Sequence, residues 1–179
     1  KEEIDQKMLQ QFQPEFERIK AYVDCKIGHF ETAVTTRDCS FDNSAFMDFI
    51  HQLQMNISGA DISFNAPLSF DSKIEAGDVT MAEMFKLYRF ENQLYVLNMT
   101  GRQVLGHLEE SYGRWVNTMK SPDDHLLLLS NNTKGDQQRT GFQNFTFNFD
   151  SAAGIDYEVD VTKPNGQKLH ILRMADGTP

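Results

Sequence analysis

An aromatic ring and a carboxamide stand two residues apart in the sequence Phe90-Glu91-Asn92. They lie between a short predicted helix and an apolar run, at the point where the chain would enter a strand. A phenyl face stacks on flat ligands, and a side-chain amide both donates and accepts hydrogen bonds. This spacing indicates a site where a planar polar ligand can be stacked and hydrogen-bonded.

Side chains that carry catalysis show no comparable grouping. The five histidines are scattered, at positions 29, 51, 107, 125 and 170. His107 and Glu109 lie two residues apart on a predicted helix and so do not share a face. Nucleophile-elbow, P-loop and Rossmann sequences do not occur. We therefore expect structural or surface histidines, no catalytic residue and no metal site in this chain.

The elements that precede the ring begin with a short, mostly apolar run, Ala60 to Phe64. This run is predicted to be a strand that ends at Asn65-Ala66-Pro67, because proline cannot donate to a ladder and restricts the residue before it. Thr80 fits the N-cap of a short helix, with Met84 and Tyr88 at helical spacing behind it.

The elements that follow the ring are a strand and a longer helix. Leu94 to Met99 is apolar on both faces apart from Asn98, which predicts a strand covered on both sides. Thr100-Gly101-Arg102-Gln103 has the spacing of a capping box. One helical stripe follows it, formed by Val104, Leu105, Leu108, Tyr112 and Trp115.

This stretch resembles the C-terminal domain of the 5′-nucleotidase family, two-domain enzymes that include UDP-sugar hydrolases and 2′,3′-cyclic-nucleotide 2′-phosphodiesterases. Gly59-Ala60-Asp61-Ile62 running into Asn65 is similar to the family's entry strand and loop. Ala76-Gly77-Asp78-Val79-Thr80 is similar to its approach to a short helix. Phe90-Glu91-Asn92 through Met99-Thr100-Gly101 and Leu108-Glu109 is similar to its Phe-x-Asn, Thr-Gly and Leu-Glu block. The similarity covers most of the chain and is weak before residue 40.

The resemblance implies three substrate-binding residues. The ring that matches Phe90 stacks one face of the nucleobase in the family, and the residue that matches Asn92 lies at the same pocket. Asn65 matches the asparagine that opens the family's Asn-Gly-Gly-x-x-Arg loop, which contacts the nucleotide. We therefore expect Phe90, Asn92 and Asn65 to bind substrate.

The loop after Asn65 departs from the family pattern. Ala66 and Pro67 replace both glycines, and Phe70 stands in place of the arginine. Loss of that guanidinium removes a bidentate phosphate contact. Arg37 is the only arginine near where further phosphate-binding arginines are expected. The resemblance therefore supports base stacking more strongly than phosphate binding.

The family's catalytic metal ions belong to an N-terminal metallophosphatase domain that carries a Gly-Asn-His motif, and no Gly-Asn-His occurs here. The resemblance thus implies a full-length phosphoric ester hydrolase in which this chain is the nucleotide- or nucleoside-binding C-terminal domain. It also implies a periplasmic or extracellular protein with a signal peptide upstream of Lys1, and a further strand and Gly-rich segment after Pro179. The alternative is a non-catalytic interaction or scaffold module that kept the fold and lost the pocket.

Length and charge narrow the classes of partner. A chain of 179 residues with 40% hydrophobic content suits one domain with a sizeable core. The net charge of −9 argues against binding nucleic acid, because phosphate backbones need concentrated Lys and Arg. No apolar run approaches the ~20 residues that span a membrane.

The N-terminal residues 1–24 carry apolar side chains every three or four positions, which predicts an amphipathic helix that Pro14 kinks or splits. The resemblance makes this helix the link to the catalytic domain, so residues 25–179 form the family domain. Cys25 and Cys39 are the only cysteines. Their spacing leaves a disulfide and two buried thiols as alternatives.

The remaining segments are predicted to be strands, one helix and connecting loops. A strand is expected in residues 26–35, and a helix capped by Asn43 or Ser44 follows it. The polar segment 130–141 is predicted to be a mobile surface loop. Alternation predicts strands over 144–149 and 157–161, and a turn at 164–166 leads to a returning strand over 168–174. The expected fold is α+β, a mixed sheet flanked by helices.

Overall fold

A computed structural model gives the structure of this chain and describes residues 5–130, 141–175 and 177–178. Its helices are α1 (Gln6–Val23), α2 (Ala45–Ser58), α3 (Met81–Leu87) and α4 (Gly101–Trp115). Its strands are β1 (Lys26–Phe30), β2 (Val34–Thr35), β3 (Ser63–Asn65), β4 (Lys73–Ile74), β5 (Gly77–Thr80), β6 (Ser151–Ala153), β7 (Asp156–Val159) and β8 (Leu169–Arg173). Nearly all of the segment predicted to be a mobile loop, 130–141, lies outside the described residues.

Helix α1 begins after Asp5, whose carboxylate accepts hydrogen bonds from two amides of the first turn. It continues past Pro14 without a break, so this proline does not split it into two helices. No side chain of α1 is buried, and apolar residues such as Phe12 and Phe16 lie exposed. The helix is confirmed, while its role as a link stays a prediction.

A first core forms where α2 and α3 pack on two antiparallel pairs, β1 with β5 and β2 with β4. Helix α2 is capped by Ser44, one of the two candidates in the sequence, whose hydroxyl accepts a hydrogen bond from the Met47 amide at 3.1 Å. It ends at Gly59 with φ of 69°, a conformation that glycine adopts without strain. The core side chains are Val34, Cys39, Phe46, Met47, Ile50, Ile74, Val79 and Leu87.

A second core lies between α4 and the pairs β3 with β6 and β7 with β8, both antiparallel. Its buried members are Val104, Leu108, Ile155 and Leu169. The turn between β6 and β7 requires glycine at position 154, where φ is 87° and an added Cβ would overlap the carbonyl of Asp61.

A third cluster continues from the end of α4. Trp115 stacks on Phe149 with ring centres 4.8 Å apart, and Val116 and Leu127 complete the buried set. Helix α4 therefore contributes to two clusters along one stripe, and the predicted stripe of the helix is confirmed.

The α+β class is confirmed, but the strands are arranged differently from one mixed sheet. In the described ranges they form four separate two-stranded antiparallel sheets with no parallel pair. In the same ranges no helix is both long and apolar enough to cross a bilayer.

The prediction of a covered strand over Leu94 to Met99 is wrong in this structure. The segment has no secondary structure, and Leu97 is 73% exposed. Its apolar pattern marks a surface suited to burial, but a strand needs a neighbouring edge, and the described part of the chain supplies none.

The prediction of a strand over residues 144–149 is also wrong. Thr146–Asn148 forms a short 3-10 helix, held by an amide hydrogen bond from Phe149 to Thr146. Phe145 and Phe147 stack on each other in solvent, and only Phe149 enters a core. The hydrogen bonds of this short helix therefore set the local backbone conformation, and the alternating pattern does not produce a strand.

Both cysteines are free thiols. Cys39 is buried in the first core, and burial raises the pKa of its thiol. Cys25 is exposed, so the expectation of two buried thiols holds for Cys39 alone.

Candidate functional site

Phe90 lies in the irregular segment that follows α3. Leu87 at the end of α3 is buried, and Tyr88 turns the backbone into an extended conformation. The Phe90 side chain is 50% exposed, so solvent and ligands reach its ring. The guanidinium carbon of Arg89 lies 5.3 Å from the ring centre, an arrangement typical of a cation–π contact. The ring is thus a surface feature with an arginine over one face.

Asn92 is tied to the same segment. Its side-chain amide nitrogen donates a hydrogen bond to the hydroxyl oxygen of Tyr88 at 2.7 Å. Within the described part of the chain its amide oxygen accepts no hydrogen bond and remains free for a donor. This contact links the two ends of the short loop that carries Phe90.

Asn65 occupies the end of β3, where it pairs with Ser151 of β6. Its side-chain nitrogen is buried and has no hydrogen-bond partner among the described residues. An orphaned buried donor costs about 1–3 kcal/mol, which an acceptor would recover. No hydrogen bond or ring contact in the described part joins Asn65 to Phe90 or Asn92. Their assignment as substrate-binding residues stays a prediction.

The Phe70 ring, in the loop after Asn65, lies between another aromatic ring and an arginine from an earlier part of the chain. Phe70 packs edge-to-face on Phe142, with ring centres 4.7 Å apart. The guanidinium of Arg37 lies 5.2 Å from the centre of the Phe70 ring. Tertiary structure thus places a guanidinium beside residue 70 from another part of the chain.

A cleft of about 630 Å³ separates this loop from α3. Three of its lining residues are cationic, Lys73 from the loop side and Lys86 and Arg89 from the α3 side. Sequence reasoning found no basic residue to replace the missing arginine at position 70. Helical spacing did not signal this group, because Lys86 lies on α3 whereas Arg89 follows the helix beyond the extended residue Tyr88.

A second cavity, of about 670 Å³, lies between the start of α2 and the turn from β6 to β7. His51 is buried in its wall, with one ring nitrogen 2.9 Å from the Ser63 hydroxyl and the other 3.3 Å from the Ser151 hydroxyl. Burial lowers the pKa of His51, which favours the neutral ring. Among the residues that the structure describes, no carboxylate hydrogen-bonds the His51 ring, so these residues do not form a nucleophilic triad.

Two histidines each pair with an aspartate that is distant in the sequence, so the sequence spacing did not reveal these pairs. His29 Nδ1 lies 3.1 Å from an Asp78 oxygen, and His107 Nε2 lies 2.9 Å from an Asp150 oxygen. Across the described ranges no group of three or more His, Cys, Asp or Glu side chains could hold a metal ion. This donor set does not fit the two-metal centre of the family's catalytic domain.

Comparison with known proteins shows which family the chain belongs to. Residues 26–179 match the family model for the 5′-nucleotidase C-terminal domain, and the chain is a member of that family. It is 31% identical over 96 residues to the trifunctional nucleotide phosphoesterase protein YfkN of Bacillus subtilis, covering 54% of this chain and 6% of that protein. It is also 31% identical over 100 residues to the 2′,3′-cyclic-nucleotide 2′-phosphodiesterase/3′-nucleotidase of Salmonella typhimurium, covering 56% of this chain and 14% of that protein.

Solved structures agree with this fold. A protein of Staphylococcus aureus assigned as a 5′-nucleotidase and crystallised with α-ketoglutarate superimposes with a TM-score of 0.72 at 20% identity, over 99% of this chain and 33% of its own. The 5′-nucleotidase precursor of Thermus thermophilus superimposes with a TM-score of 0.62 at 17% identity, over 93% of this chain and 27% of its own. The chain therefore spans a third or less of each of these relatives.

Proposed function

We propose that this chain is the nucleotide- or nucleoside-binding domain of a 5′-nucleotidase or 2′,3′-cyclic-nucleotide phosphodiesterase-like metallophosphoesterase. One observation carries the proposal. The half-exposed ring of Phe90 stands in a Phe-x-Asn sequence, in the irregular segment between α3 and the capped helix α4, within a chain of this family.

The proposed role is recognition of the base. Stacking on an aromatic face contributes about 1–3 kcal/mol per base and tolerates any purine or pyrimidine. Arg89 covers one face of Phe90, so the base occupies the opposite face. Asn92 offers its free amide oxygen to the base edge, and Asn65 offers its unpartnered amide nitrogen to an acceptor on the ligand.

Hydrolysis belongs, in this proposal, to an N-terminal metallophosphatase domain of the same protein. Bound divalent metal ions supply an activated water and polarise a phosphoryl oxygen in such sites. The donor set described here does not fit them, so this chain contributes binding and orientation alone. We also propose a periplasmic or extracellular location, supported by the word "precursor" in the name of the Thermus thermophilus relative.

Titration of adenosine and AMP into the chain, followed by NMR chemical shifts, tests base recognition. We expect Phe90→Ala to weaken both ligands about fivefold or more, because the stacking surface is lost. Phe147→Ala is the matched control, since that ring is also 50% exposed but stacks on Phe145. Equal affinity in wild type and Phe90→Ala would contradict the proposal.

An activity assay tests the division of labour. The chain alone, supplied with divalent metal ions and AMP, is expected to release no phosphate. Turnover that rises with enzyme concentration would place a catalytic site within these residues and overturn the assignment.

The second candidate is a non-catalytic interaction or scaffold module. The loop after Asn65 favours it, because Phe70 packs into an aromatic cluster where the family has a phosphate-binding arginine. No response to adenosine or AMP in wild type, together with an unchanged fold, would support this second function.

A further inference from the structure

We propose that the cleft between residues 68–73 and α3 binds the phosphate of a nucleotide through Lys73, Lys86 and Arg89. This inference rests on the proposed function, because it names the phosphate subsite of the same ligand. It assigns to these three residues the contact that Phe70 cannot make.

The shape of the cleft suits a phosphate carried on an organic group. One wall is formed by Ala82, Phe85 and Lys86 of α3 together with Arg89, which follows the helix, and the other wall is formed by side chains within residues 68–73. Phe85 is 50% exposed and gives this wall an apolar floor, with the cationic heads beside it. The volume of about 630 Å³ exceeds what a lone ion needs and falls within the usual range of small-molecule sites.

The charges of the cleft favour an anion. Its lining holds three cations and a single carboxylate, Asp71, in a chain whose net charge is −9. The Arg89 guanidinium has no carboxylate partner in the described part of the chain. Among the side chains that line the cleft, positive charge exceeds negative charge, which favours an anionic ligand there.

The two lysines already form ion pairs, but these pairs are weak. Lys73 Nζ lies 2.8 Å from a Glu75 oxygen, and Lys86 Nζ lies 2.8 Å from a Glu83 oxygen. Both lysine side chains are 54% exposed. Exposed pairs of this kind contribute little because water and salt screen them, whereas a doubly charged phosphate offers each lysine a stronger partner.

Hydroxyl groups and Arg89 complete the subsite. Ser69 and Ser72 hydrogen-bond each other through their hydroxyls on the loop side of the cleft. Arg89 lines the cleft and also covers one face of Phe90. Arg89 is therefore adjacent both to the base-stacking ring and to the phosphate site.

Comparison of AMP, adenosine and inorganic phosphate tests the subsite by NMR titration at constant ionic strength. We expect AMP to bind wild type more tightly than adenosine. The double variant K73Q/K86Q should lower AMP affinity about tenfold while adenosine affinity stays the same, because both lysines contact phosphate alone. Lys120→Gln, which removes a lysine outside the cleft, should change neither. Higher salt should weaken AMP and spare adenosine.

The outcomes separate this inference from the proposed function. The phosphate subsite is overturned if wild type binds AMP and adenosine equally, or if K73Q/K86Q leaves AMP affinity unchanged. Adenosine binding that depends on Phe90 would still support base recognition in either case. If adenosine does not bind, inorganic phosphate is the deciding probe. Chemical-shift changes that phosphate causes at Arg89 Nε and the Ser72 amide, and that vanish in K73Q/K86Q, would support the phosphate subsite. Base recognition by Phe90 would then be refuted. No lysine-dependent shift with phosphate overturns the subsite.

Discussion

Single polar residues of this domain mainly hold its elements together. Lys168 is 1% exposed, and its ammonium group donates to the Asn117 and Lys163 carbonyls and the Thr118 hydroxyl. Such complete pairing is the condition under which a lysine is tolerated inside a protein. His51 is buried between two serine hydroxyls in the same way. The exposed ring of Phe90 differs from these residues, since it covers no core.

His107 makes the stability of the chain depend on pH. The hydrogen bond to Asp150 raises the pKa of His107 above its ordinary value of about 6.5. The folded state thus binds this proton more tightly than the unfolded state. The resulting stability is complete below the ordinary pKa and is lost as pH rises through the raised pKa.

We expect His107→Gln to lower the free energy of unfolding at about pH 5.5 and to have little effect through this pair near pH 9. The loss should not exceed about 1 kcal/mol, because the pair is partly exposed and screened. Urea unfolding at both pH values measures it. Asp150→Asn should remove the same pH-dependent part, and a loss that is independent of pH would contradict the pairing.

Among the elements, those with complete local signals formed where the sequence placed them. Thr100 accepts a hydrogen bond from the Gln103 amide, and the Gln103 side chain accepts one from the Thr100 amide. This reciprocal box fixes the start of α4. The segment 94–99 and the residues 144–149 had only an apolar pattern, which shows what a segment can bury and not whether a partner edge exists.

The two threonine caps provide a test of this distinction. Thr100→Ala is expected to cost about 1 kcal/mol in the free energy of unfolding, because it removes the cap of the helix that joins two core clusters. Thr80→Ala is the matched control, since Thr80 precedes α3 but makes no side-chain cap hydrogen bond. We expect a smaller loss there. Equal losses in thermal or urea unfolding would show that the capping box does not stabilise α4.

At the scale of the whole molecule, the described residues form three small hydrophobic clusters, which together act as the core. The first cluster joins α2, α3 and two strand pairs, and the other two meet along α4. Helix α1 contacts α3 but buries none of its own side chains. The clusters therefore do not depend on α1, and its apolar stripe adds only exposed surface.

Removal of residues 1–24 tests this arrangement and the proposed boundary at residue 25. We expect the shortened chain to keep the free energy of unfolding within about 1 kcal/mol, since none of the side chains of α1 is buried and little apolar area is lost. Its tendency to self-associate should fall, because exposed apolar side chains such as Phe12 and Phe16 are gone. Urea unfolding and light scattering measure the two effects. A large loss of stability would place α1 inside the domain.

The sequence alone determined features that depend on neighbours within a few residues. These are a cap at residue 43 or 44, the cap at Thr100, the glycine at the end of α2, the stripe of α4 and the hairpin of β7 with β8. Its family pattern also pointed to the α+β class and to Phe90 as an accessible candidate ring.

Tertiary structure alone decided which distant groups meet. His107 pairs with Asp150 across 43 residues, and His51 contacts Ser151 across 100. The same holds for Arg37 beside Phe70 and for Lys73 facing Lys86 across the cleft. Helix caps and turns depend on residues only a few positions apart, so the local sequence is enough to predict them. A cleft or an ion pair between remote segments depends on how whole elements pack, and no local pattern encodes that packing.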